Sequence, residues 1–175
     1  MRVYIPATLA MLQQFVADGS LFPVSGTAFA VTPTLREAYA EGDDDELAEV
    51  ALREAALGSM RLLAFDDAEE SGDDTGGSDG LPLRRCVLVA DVETVKPRPD
   101  LDDAVVRMSD AVSLQDVVAV YVDTVTAEAA VRAAVGVIDA ADLGDEDAEL
   151  AVGDAQDHDL AWYATQELPF LLDLL

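Results

Sequence analysis

Val117-Val118-Ala119-Val120-Tyr121-Val122 runs six residues without a charge or an amide side chain. Its β-branched residues favour an extended backbone, and the lack of polar alternation predicts a strand covered on both faces, in the middle of a sheet. Downstream, Thr126 stands where it would cap a helix carrying Ala130, Val131, Ala134, Val135 and Ile138 on one side. Leu160-Ala161-Trp162-Tyr163-Ala164 reads as a last strand, and Thr165 opens a short terminal helix through Phe170, Leu171 and Leu174. Upstream, residues 85–92 and 104–108 read as strands, the second with a helix as the alternative.

The amino-terminal third is punctuated more clearly. Val3-Tyr4-Ile5 is an opening strand ended by Pro6, and Thr8 caps a helix whose apolar face is Leu9, Leu12, Phe15 and Val16, with Gly19 as the stop. Residues 27–31 form a second strand, after which Thr32 and Pro33 supply an N-cap and a first-turn proline for a short helix through Leu35 and Tyr39. Asp43 and Glu46 form a capping-box-like pair before the longest helix, over 47–64. Residues 1–175 therefore read as one domain of α+β (α/β-like) class, with a mixed central sheet of about six strands and helices packed on it.

Two stretches resemble each other. Val3-Tyr4-Ile5 and Val120-Tyr121-Val122 are each followed by a helix, then by a strand that ends in Thr and turns into a helix. Residues 28–35 lie over 161–168 with Ala, an aromatic, Thr and Leu in register, which suggests a duplicated β-α-β-α unit, although two generic strand-cap-helix patterns would also match.

The chain has 36 acidic and 10 basic residues, a formal charge of −26. Such a field repels phosphate backbones and anionic lipid surfaces, so neither nucleic acid nor membrane is expected as a partner, and no window is long and apolar enough for a transmembrane helix. The charge is uneven. Seven carboxylates fall in 66–79 among Gly and Ser, so 66–80 reads as a flexible acidic loop, and nine more fall in 139–159, read as a second acidic segment that needs no fold. Residues 73–80 and 145–149 have the residue types of a loose divalent site, but no EF-hand spacing occurs and solvated acidic segments are the commoner case.

Chemistry is sparse. Cys86, the only cysteine, lies in an apolar run and reads as a buried structural thiol, which with the absence of an export signal suggests a reducing cytoplasm. His158, the only histidine, sits between Asp157 and Asp159, which favour a solvated cation. No cofactor, metal or catalytic residue is indicated. Asp91, Glu93, Asp116 and Asp123 lie near strand ends and are the carboxylates to inspect for an enzyme of small substrates, with or without a divalent metal. The surface that stands out is Trp162, Tyr163, Thr165, Gln166 and Glu167, aromatic and hydrogen-bonding groups at one strand-to-helix turn; Thr32 and Tyr39, at the matching turn, could form a related surface.

The opening Met1-Arg2-Val3-Tyr4-Ile5-Pro6-Ala7-Thr8, the stretches 27–33 and 36–43, and the ending Trp162-Tyr163-Ala164-Thr165-Gln166-Glu167-Leu168 resemble an uncharacterised actinobacterial family, a domain of unknown function of about this length. The resemblance spans nearly the whole chain and implies no activity. It favours GC-rich coding as one source of the excess of Arg, Ala and Asp. The function expected from the residues is a non-catalytic intracellular module that binds a protein, a basic partner being the one its acidic segments would suit.

Overall fold

Thr8 shows how the chain is folded locally: its hydroxyl accepts from the Met11 amide at 3.2 Å, and Gly19, at φ 78°, closes the same helix with its amide on the Phe15 carbonyl at 2.8 Å. The computed structural model describes residues 1–39, 41–70 and 81–175, with 67–70 described by backbone alone. In chain order the elements are β1 (Arg2–Ala7), α1 (Leu9–Asp18), β2 (Ser20–Leu21), β3 (Thr27–Phe29), α2 (Pro33–Ala38), α3 (Asp44–Glu70), β4 (Cys86–Asp91), β5 (Val95–Pro97), β6 (Val105–Met108), β7 (Val112–Ser113), β8 (Val117–Val122), α4 (Glu128–Val135), α5 (Ile138–Asp142), α6 (Glu146–Gln156), β9 (Ala161–Tyr163) and α7 (Leu168–Asp173). Single 3-10 turns precede β3, α4 and α7.

The α+β class holds, with helices on both faces of one sheet in the order β5-β6-β3-β1-β4-β8-β9. The expected sheet was mixed and of about six strands; this one has seven, and every pairing is antiparallel. β2 and β7 form a separate two-stranded ribbon.

The centre of the sheet is β1, with β4 beside it, rather than β8. Cys86, Leu88 and Ala90 face α1 and α7, while Val87 and Val89 face α3, and all five are buried. β8 lies one strand from the edge, and β9 covers only its second half, from Val120 to Val122, so Val118 is left exposed. A third cluster joins Met60 and Leu63 of α3 to Val131, Ala134, Ile138, Val152 and Ala155 of α4, α5 and α6.

α3 lies close against the sheet. A Cβ on Gly58 would stand 2.9 Å from the Pro6 ring, so the helix can approach β1 this closely only without a side chain there. Next to it, the buried Ser59 hydroxyl donates to the Ala7 carbonyl at 2.6 Å and accepts from the Cys86 amide at 3.0 Å, fastening the helix to the last residue pair of the β1–β4 ladder.

Several expectations are corrected. α3 begins at Asp44 and continues to Glu70, so residues 66–70, expected to open the acidic loop, are its last turn; residues 71–80, with the possible divalent site there, lie outside the described residues. The segment 139–159 is not unfolded: α5 and α6 occupy most of it, with Ala148, Val152 and Ala155 of α6 buried and the Asp145 carboxylate capping its Ala148 amide at 2.9 Å. Thr126 caps nothing, because it sits inside the 3-10 turn that leads into α4.

The two resembling units flank β4, with β1 and β8 running the same way and β3 and β9 the other. A rotation about β4 that superposed them would exchange the faces of the sheet, and α1 and α4 do lie on opposite faces. Tyr4 and Tyr121, however, both face α3. The likeness is one of strand direction, and it does not carry the matched tyrosines onto each other.

Candidate functional site

β9 and the turn after it bring Trp162, Tyr163, Thr165, Gln166 and Glu167 together at one edge of the sheet. β9 forms because its three residues pair with Val120, Tyr121 and Val122, and no strand pairs with its outer edge among the described residues. Alternation sends Tyr163 against the α1-side core and Trp162 to the α3 side beside Tyr121, where Trp162 is 57% exposed. Thr165 is tied down, its hydroxyl donating to the Val117 carbonyl at 3.0 Å, and the Glu167 carboxylate accepts from the Ala164 amide at 2.9 Å. Thr165 and Gln166 line an apolar cleft of about 440 Å³ together with Val16, Leu114, Val118 and Pro169.

Thr32 and Tyr39 do not join this surface. Thr32 caps α2, accepting from the Leu35 amide at 3.1 Å and donating to the Asp103 carbonyl, and it is buried. It follows β3, which β1, β4 and β8 separate from β9. Tyr39 is exposed just beyond α2.

The four carboxylates do not converge either. Because β4 and β8 are antiparallel, Asp91 and Asp116 share one end of the pair, while Asp123 is at the other. Asp91 is held by Arg2 at 3.0 and 3.2 Å, a bond that lowers its pKa. Asp116 accepts from the amide and hydroxyl of Ser113, both at 3.1 Å, and Glu93 is exposed. Among the described residues, no group of three or more His, Cys, Asp or Glu is placed to hold a metal ion. Burial pushes the Cys86 thiol pKa far up, with the Asp123 charge adding to it, so the group is no nucleophile in the folded protein.

The sequence reading missed the most unusual arrangement. Arg85 is 2% exposed and Asp123 wholly buried, and they form a two-pronged ion pair, Nε to Oδ2 and Nη2 to Oδ1, both at 2.8 Å. The Arg85 amide donates to the same carboxylate at 2.8 Å, and Nη2 also reaches the His158 carbonyl at 2.7 Å. Each residue borders an apolar run, one before β4 and one after β8. In an antiparallel pair, the start of one strand meets the end of its neighbour, and that was the available signal. Arg85 lines a cavity of about 330 Å³ between α3, β8 and the segment leading into β9, together with Arg53, Glu49, Tyr121, His158 and Asp159. His158, expected to be solvated, is half-buried here.

An all-antiparallel sheet with helices on both faces, two clefts along β8 and a buried ion pair beside one of them defines a small α+β domain. The chain belongs to the family of unknown function DUF6912, which matches residues 1–172. Neither a curated protein nor a solved structure matches it.

Proposed function

We propose that the protein is a non-catalytic module of the cytoplasm that binds an extended, basic segment of another protein along β9. The observation that carries this reading is Trp162, the only tryptophan, standing exposed on a strand whose outer edge is unpaired among the described residues. A strand added there would gain main-chain hydrogen bonds from β9 and present alternate side chains to Trp162 on one face and to the Tyr163 side, toward the apolar cleft, on the other. The charge of −26 favours lysine and arginine in that segment and speeds its encounter. No helix among the described residues is long and apolar enough to cross a membrane. An enzyme built on strand-end carboxylates has no observation in its favour, since Asp91 and Asp116 are engaged at one end and Asp123 at the other.

The test is selection of peptides from a random library on the immobilised full chain, followed by titration at two salt concentrations. The expected peptides alternate basic with apolar residues, weaken with salt, and lose roughly tenfold in affinity with Trp162→Ala. Equal binding by Trp162→Ala, or no selection at all, would sink the proposal.

A further inference from the structure

We infer that the cavity beside Arg85 is a binding site for a small zwitterion of the amino-acid type. Arg85 carries the argument. Its Nε and Nη2 are bonded to Asp123 and the His158 carbonyl, while Nη1 has no hydrogen-bond partner among the described residues, and Arg85 and His158 both line the cavity. A guanidinium so buried and so firmly oriented offers a fixed donor to a carboxylate. Arg53 strengthens the case. Among the described residues six of the ten cations form ion pairs, but Arg53, at the cavity wall, forms none there, although Glu49 lies one helical turn before it.

The walls carry both signs. Glu49 and Asp159 supply carboxylates for an ammonium group, and Tyr121 and Leu160 supply apolar surface for a side chain. A simple anion would be repelled by the net charge of the chain, whereas a ligand with balanced charges is not. A volume of about 330 Å³ suits a molecule of amino-acid size, at the low end of the range of roughly 300–1,000 Å³ for small-molecule sites.

Trp162 pairs across the sheet with Tyr121 and serves as the reporter. The full chain is titrated with each standard free L-amino acid at millimolar concentration, following tryptophan fluorescence and thermal melting. The best binder is then compared with its N-acetyl and amide derivatives, which lack one charge each. At least one amino acid is expected to raise the melting temperature and change the fluorescence, with both derivatives weaker by roughly tenfold or more. Arg53→Gln, at an exposed position, is expected to lose a similar factor. Absence of binding by every amino acid overturns the inference, as does equal binding by either derivative or by Arg53→Gln. The comparison of derivatives needs no variant, so it holds even if a substitution disturbs the fold.

Discussion

Arg85 and Asp123 show what a buried charge pair demands of its neighbours. Both are out of water, so neither is tolerable without the other, and removing one partner costs far more than the pair itself contributes. Arg85→Met is expected to lower the unfolding free energy by about 3–5 kcal/mol, because Asp123 is left buried and unpaired. Replacing Asp123 by Leu in the same chain is expected to recover most of that loss. Urea unfolding of the two single variants and the double variant measures the coupling, and a double variant no more stable than Arg85→Met would show that the pair is not what fastens this end of the sheet. In the sequence Asp123 stood out only as one of four strand-end carboxylates and was not matched with Arg85, since an Arg before one strand and an Asp after another become partners only once β4 and β8 are known to be neighbours.

Among the elements, those whose ends are marked by capping chemistry were legible. Thr8, Thr32 and Asp43 were read as caps from their spacing to the apolar residues that follow, and each accepts a backbone amide three residues on. α6 was missed for a physical reason: nine carboxylates without a base looked like a solvated segment, and they hid the helical spacing of Ala148, Val152 and Ala155. The same charges fit its amino terminus, where Glu146, Asp147 and Glu149 occupy the first turn and complement the helix dipole. Asp145→Ala removes the cap and is expected to cost about 1 kcal/mol, a fall of roughly 2–4 °C in melting temperature for a chain of this size. Asp157→Ala, at the opposite end of the helix where a negative charge is unfavourable, is expected to be neutral or mildly stabilising. Equal losses in both variants would mean that the capping bond and the dipole do not decide the stability of this helix. The turn at Thr165 was legible as a strand-to-helix junction, but the cleft beside it was not, because other residues lining it come from α1 and the loop before β8.

Across the whole molecule, the imbalance of 36 acids over 10 bases sets a self-repulsion that every packed element must overcome. Salt screens it, since the Debye length falls from roughly 30 Å at 0.01 M to about 10 Å at 0.1 M. Screening also weakens exposed ion pairs such as Arg2–Asp91 and Arg36–Asp44, but such pairs are worth only about 0–1 kcal/mol each. The net effect expected is a melting temperature that rises by several degrees with added sodium chloride before levelling off. A melting temperature that falls over that range would mean that local pairing outweighs the net charge.

The pairing of β1 with β4 has a further consequence, in the order of synthesis. Ala7 meets Cys86 and Arg2 meets Asp91, so the longest ladder of β1 needs a partner that leaves the ribosome some eighty residues later. At about 5–20 residues per second, that is a wait of roughly 4–16 s. Until then β1 has only its brief pairing with β3, through Tyr4 and Phe29. A nascent chain stalled before β4 would therefore hold an apolar strand without its main partner, an edge open to misassociation until β4 emerges.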